Sequence, residues 1–415
     1  MIPKMNKYNT IFQPAEILLP SFSDDSAAMS RWAVIACDQY TSEPEYWKSC
    51  VNFINGAPSA YDYILPEAYL GTDMEITHGK SIAEKMQTFD ASSMRTVNGL
   101  LYIERILPDG SVRHGIVGAI DLEAYDYSVG STSAVRATEA TILSRIPPRC
   151  KVRASAAIEL PHILVLVDDM GFIRTASAAK NDLPTAYDFD LMGSGGHITG
   201  WEITGNALDT LMCEISAYET VHHGLVYAMG DGNHSLAAAK AHWENVKAET
   251  GDRNHPARFA LCELTALEDE SLVFHPIYRI LKNCNPADVL AALSGITTET
   301  DDEHAAQTIT VRNGAEKHVL TFTAPDHALT VGTLQNFLDR YLAGHPEAEC
   351  DYIHGEDSAS RLAEAPDCIA FLMDGMSKSE LFPYVEAHGT LPRKTFSMGE
   401  ADSKRYYLEA RKITK

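Results

Sequence analysis

The stretch "HGLVYAMGDGNHSLAAAKAHWENVKAETG" at 223–251 limits the possible folds more than any other part of the chain. An apolar run of strand length enters a polar, glycine-broken knot, and an alanine-rich helix follows at once. A strand that turns tightly into a helix leaves the helix's first backbone N–H groups pointing back at the turn. The aligned peptide dipoles add positive potential there. Gly230 and Gly232 let backbone approach a ligand closely. His234 can donate to a phosphate oxygen, and Asp231 can accept from a hydroxyl or help hold Mg2+. The same residues also read as a plain capped helix. Asn233 is a good N-cap, Asp-Gly-Asn is a turn in its own right, and Gly251 suits the C-terminal stop. The knot is not a P-loop, because no G-x-x-x-x-G-K-[ST] is present, and its G-x-G lacks the third glycine of a dinucleotide fingerprint.

Around this unit the chain mixes strands and helices. "RWAVIACD" (31–38) reads as a buried strand. "LLYIERILPDGSVRHGIVGAIDL" (100–122) predicts a hairpin turning at Pro108-Asp109-Gly110. "LPHILVLVDDMGFIRTA" (160–176) predicts a second one at Asp169-Met170-Gly171. "ARFALCELTAL" (257–267) and "LVFHPIYRIL" (272–281) are further strands, and "VGTLQNFLDRYLAG" (331–344) is a helix. The pattern changes after Asn285, which sets an expected division into 1–285 and 286–415. The class is α+β with antiparallel hairpins, followed by a C-terminal α/β portion.

Composition bounds the function. The chain has 415 residues, with 45% hydrophobic and 22% charged residues, as in ordinary globular proteins. Lys and Arg number 34 against 57 Asp and Glu, a net charge of −23. Such a surface repels phosphate backbones, so nucleic acid is not an expected partner. The longest apolar runs, such as "HILVLV" at 162–167, are strand-length, so no membrane span is expected. The start, "MIPKMNKYNT", lacks a signal core, and a cytoplasmic location is expected. Eight scattered cysteines without a C-x-x-C pair read as reduced thiols. Oligomeric state is not legible.

Several segments together resemble one family. "RWAVIACDQYTSEPEYW" (31–47), "RATEATILSRIPPR" (136–149), "YDFDLMGSGGHITG" (187–200), "DGNHS" (231–235), "VFHPIYRI" (273–280), "DYIHG" (351–355) and "LPRKTFSMG" (391–399) match in order. They resemble the bacterial domain-of-unknown-function 1015 family, of the ParB/sulfiredoxin-like superfamily, which is related to the ADP-dependent free serine kinase. The resemblance implies a ParB/sulfiredoxin-like mixed core that binds ADP or ATP with Mg2+, and a phosphotransferase acting on a small hydroxyl compound such as serine.

It also implies roles. Glu139 matches the base that takes the proton of the attacking alcohol. Asp231, Gly232 and His234 match an Asp-Gly-x-His-Arg element that cradles phosphates, with Gly230 and Asn233 beside them and Asp231 on the metal. Ser235 stands where that element has Arg, so a cation must come from elsewhere. Arg136, Arg145, Arg149 and Arg153 fall within 18 residues, and Arg136 or Arg153 is the expected supplier. Lys394 and Thr395 match a substrate-binding segment. Two departures stand out: Thr138 replaces a histidine before Glu139, and Ser397-Met398 replace an Arg-His pair.

Other readings start from the same residues. A nucleotide-binding sensor without turnover fits the loss of the motif arginine. A metal hydrolase would use His222, His223, His234 and Asp231, yet no fixed-face spacing supports it. A nuclease has only fold analogy behind it. The glycines of "GSGGHITG" (193–200) suit either a lid or a slack surface loop.

Overall fold

A computed structural model describes residues 8–37, 40, 43–69 and 72–415. The chain is α+β and divides into two compact units. One comprises Met1–Leu272, Val385–Thr390 and Glu400–Lys415; the other comprises Val273–Tyr384 and Leu391–Gly399. The first unit therefore ends at Leu272, ahead of the change in pattern at Asn285, and two later segments return to it.

The first unit is built on an eleven-stranded mixed sheet. Its middle is the hairpin of Met94–Ile106 and Val112–Asp121, paired antiparallel with Leu101 opposite Val117. The expected turn is there: Asp109 Oδ1 accepts from the Ser111 N–H at 2.9 Å, and Gly110 has φ +86°. From Val112–Asp121 the sheet runs through Phe259–Ala266, Leu164–Val167, Tyr227–Asp231 and Val135–Arg136. Alternation along the central strands buries both faces. Leu101, Ile103 and Val117 belong to one apolar cluster with Trp32, Cys50, Leu408 and Ala410. Leu100, Tyr102 and Ile116 belong to another, with Phe172, Leu211, Leu236 and Trp243 from three covering helices.

Three expectations are corrected. Residues 31–37 are not a strand. The helix Ser26–Trp32 is capped by Asp25, and Val34 makes only an isolated bridge to Tyr407; Asp38 lies outside the described residues. Asp169-Met170-Gly171 does not turn a hairpin. Asp169 Oδ1 takes the Gly171 N–H at 2.6 Å, and the helix Gly171–Ala179 starts there. Its buried Phe172, Ile173 and Ala176 have helical spacing, which outweighs the turn signal. The 193–200 segment is not slack throughout: Gly200 lies in the strand His197–Ile203, and Gly195 and Gly196 are closely packed. A Cβ on Gly196 would overlap the Ile106 carbonyl, and one on Gly195 would overlap the Tyr406 hydroxyl.

The C-terminal segment is fastened inside this unit by buried arginines. Arg405 pairs with Glu263 at 2.8 Å and Glu409 at 2.6 Å, and Arg411 pairs with Glu159 at 2.9 Å. Arg105 donates to the carbonyls of Gly195, Asp402, Ser403 and Lys404.

The second unit carries a seven-stranded sheet whose pairings are all antiparallel. Phe274–Lys282 lies between Glu349–His354 and Ile369–Leu372, and also pairs with Phe396–Met398. The helix Thr330–Gly344, predicted from its spacing, buries Leu334, Phe337 and Leu338 against Leu281, Ile309 and Phe371.

Candidate functional site

The knot lies at the end of the strand Tyr227–Asp231. The strand's pairing with Leu164–Val167 shifts register between Met229 and Asp231, so Gly230 sits in a bulge that ends regular pairing. Gly232, at φ +78°, occupies the cap of the helix Asn233–Thr250. Only glycine takes that conformation without strain, and a Cβ there would lie 3.1 Å from Ile163 Cα. Asn233 is therefore the first helical residue and not the N-cap. Its amide donates to the Glu139 carbonyl at 3.1 Å and to Thr141 Oγ1 at 3.3 Å, away from the helix's own amides. The helix has no side-chain cap at its N-terminus. Gly251 closes the other end at φ +67°, as expected.

Glu139, 94 residues before Asn233, belongs to the segment that covers this mouth. The strand Val135–Arg136 runs parallel to Tyr227–Asp231. Just beyond it, Thr138 Oγ1 donates to the Met229 carbonyl at 2.7 Å. Further on, the Ile142 N–H donates to His234 Nε2 at 3.2 Å. That bond makes Nε2 an acceptor, so the neutral ring carries its proton on Nδ1. Glu139 itself is exposed. The structure thus brings together Glu139, Gly230, Asp231, Gly232, Asn233 and His234; Ser235 follows in the helix's first turn.

Two residues join them that motif reasoning passed over. Lys404 Nζ is 3.5 Å from Asp231 Oδ2, with its side chain 15% exposed. His162 packs against Tyr407 with ring centroids 4.8 Å apart and planes tilted by 42°, and its buried Nδ1 has no hydrogen-bond partner. Burial alone would raise the Asp231 carboxyl. Lys404, His162 and the Gly232 N–H together outweigh it and hold the group below the usual carboxylate range. Burial pushes the His162 imidazole down, against the pull of Asp231 and with help from Arg405, Arg149 and Lys404. No spacing in the sequence ties Lys404 to Asp231; the only signal was a lysine in a C-terminal segment rich in apolar and paired charged residues.

The arginines expected to supply charge are otherwise employed. Arg136 is buried and donates to the carbonyls of Ser133, Val385 and Thr132. Arg153 pairs with Glu159 at 2.5 Å. Arg149, passed over in that choice, acts electrostatically on His162. Lys394 and Thr395 belong to the second unit. Lys394 is exposed with φ +54°, and Thr395 Oγ1 donates to the Pro392 carbonyl at 2.7 Å, closing a local turn. For the hydrolase reading, His222 bonds the Tyr218 carbonyl and Asp168. Among the described residues no three His, Cys, Asp or Glu side chains are grouped to hold a metal. No helix of the described residues is long and apolar enough to cross a membrane.

A family described as "Protein of unknown function (DUF1015)" matches residues 22–341, which include all of the site except Lys404. The chain belongs to this family. Among curated proteins nothing matches it. Solved structures similar to this family member include a conserved hypothetical protein from Pyrococcus furiosus, 12% identical, with TM-score 0.36 and 70% of this chain and 93% of that chain covered. A free serine kinase in complex with AMP is 10% identical, with TM-score 0.38 and coverage of 71% and 91%. SbnI from Staphylococcus aureus is 9% identical, with TM-score 0.37 and coverage of 68% and 82%.

Proposed function

We propose that the helix mouth at Gly232–Ser235 binds the polyphosphate of ADP or ATP with Mg2+, and that Glu139 acts there as base toward a small hydroxyl compound. The observation that carries this reading is convergence. Asn233 and His234 hold the Glu139 segment by hydrogen bonds of 3.1 and 3.2 Å, over a helix end with no side-chain cap. A capped helix needs no such cover, and a phosphotransferase needs a base within reach of bound phosphate. The helix supplies amides and dipole, Lys404 the cation that Ser235 does not, and His234 Nδ1 a further donor. Asp231 carries the negative charge expected of a Mg2+ ligand. Reading the first unit as a ParB/sulfiredoxin-like core belongs to the same proposal.

The chemistry assigned to Glu139 is proton acceptance from the substrate hydroxyl as its oxygen forms the bond to the terminal phosphorus, while the nucleotide leaves with the electrons of the broken P–O bond. Calorimetry and thermal shift with ADP or ATP and Mg2+ test the first half. At a hundredfold excess over Kd, binding adds about 2.7 kcal/mol. Lys404→Met is expected to weaken that binding about tenfold. Mass spectrometry of a hydroxyl-compound panel tests the second half: Glu139→Gln should keep binding and lose roughly 100-fold or more in turnover. Wild-type binding without turnover would select a sensor. No binding at all would reduce the knot to a helix start.

A further inference from the structure

We propose that Ile142 and Leu143 form an apolar lip on which the base of the bound nucleotide rests. This inference depends on the reading above and goes beyond it by naming the side chains that take the non-phosphate half of the ligand. Ile142 and Leu143 are 48% and 66% exposed. Single apolar side chains at such exposure are ordinary on a protein surface. Here two stand side by side, and the backbone that carries them is fixed at both ends. Upstream, the Asn233 amide holds the Glu139 carbonyl and Thr141 Oγ1, and the N–H of Ile142 itself donates to His234 Nε2 at 3.2 Å. Downstream, a short turn over Leu143–Arg145 enters the helix Ile146–Ala154. That helix packs on the knot helix through Ile146, buried with Ala237 and Ala238. Ile146 occupies the interior position, while Ile142, which precedes the turn, and Leu143, which opens it, are left in water.

The lip therefore begins one hydrogen bond from the His234 ring and cannot drift far from it. A ligand that sets a polyanion on the helix amides, and that is favoured by apolar surface alongside, carries a charged chain joined to a flat, weakly polar ring. A nucleotide has that build; inorganic polyphosphate has only the first part. Contact of aliphatic side chains with a ring face is non-directional. The lip thus favours a nucleotide over bare polyphosphate and distinguishes poorly between bases, because base identity is read by hydrogen bonds.

The test compares ATP with inorganic tripolyphosphate, each with Mg2+, by calorimetry on the full chain. Wild type is expected to bind ATP more tightly. Ile142→Asn and Leu143→Asn, both at exposed positions, should each cut ATP affinity about five- to tenfold, the loss expected for one apolar contact. Tripolyphosphate affinity should stay within about twofold, and Leu143→Met should restore ATP binding. Unchanged ATP affinity in both variants, with tripolyphosphate still bound, would overturn the lip and leave the helix-mouth reading intact. Equal losses for both ligands would also overturn it, since the variants would then have disturbed the mouth. Absence of any binding to wild type would remove both proposals.

Discussion

At the residue scale, a few positions do work that other residue types cannot do. Gly232 holds a left-handed cap and passes under Ile163, and Gly196 lies against the Ile106 carbonyl. His242, on the buried face of the knot helix, shows the electrostatic side of the same economy. Burial, with Arg153 and His255 adding to it, pulls its imidazole down to about 4. A histidine depressed in the folded state is neutral there while the unfolded chain already takes up a proton. Its contribution is complete above the ordinary value near 6.5 and is lost as pH falls toward 4. The loss is on the order of 2–3 kcal/mol by the bottom of that window. Urea melts between pH 7 and pH 4 should show His242→Gln losing less stability than wild type over that range. Parallel curves for the two proteins would mean that His242 is not the group responsible.

At the element scale, the C-terminal segment contributes to both stability and site. Glu263 is 1% exposed and faces Arg405 at 2.8 Å and Arg113 at 3.5 Å. Removing one partner of such a cluster leaves buried charge uncompensated. Glu263→Ala is therefore expected to cost about 3–5 kcal/mol in chemical denaturation. Glu45→Ala, which breaks the exposed pair with Lys48, should cost under about 0.5 kcal/mol. Comparable losses in the two would refute the special weight given to Glu263. Elements also mark the boundary of what sequence discloses. The 108–110 turn was legible because Asp109 and Gly110 act through their nearest neighbours. At 169–171 the same residue types start a helix, because an Asp that bonds the N–H two residues on serves either outcome and the apolar spacing that follows decides. The glycine knot was legible for the same local reason. The charge beside it was not. His162 reaches Asp231 through the pairing of Leu164–Val167 with Tyr227–Asp231, Lys404 reaches it through the return of the C-terminal segment, and the arginines nearest in sequence are taken up by Glu159 and by carbonyls.

At the scale of the whole molecule, the net charge of −23 sets the conditions under which an anionic ligand arrives. In the proposed site, Lys404 and the helix dipole would attract phosphate only at short range, while the rest of the surface repels it. At 10 mM salt the screening length is about 30 Å, and at physiological strength about 8 Å, so added salt removes the repulsion before the local attraction. The association rate of ATP, followed by stopped flow, is expected to rise between these two conditions. Attraction by a basic cleft gives the opposite slope. A rate that falls steadily with salt would place the entry route on some other, positively charged face.

The return of Glu400–Lys415 into the first unit bears on how this polypeptide matures. During translation the eleven-stranded sheet is made before Arg411 and Arg405, which complete the pairing of Glu159 and Glu263 begun by Arg153 and Arg113, and before the ammonium beside Asp231; all three follow the second unit. The nascent chain must wait through the synthesis of the whole second unit with that seam open. A chain stopped before Glu400 lacks these partners for the buried carboxylates, so such truncations should yield protein that is quickly degraded.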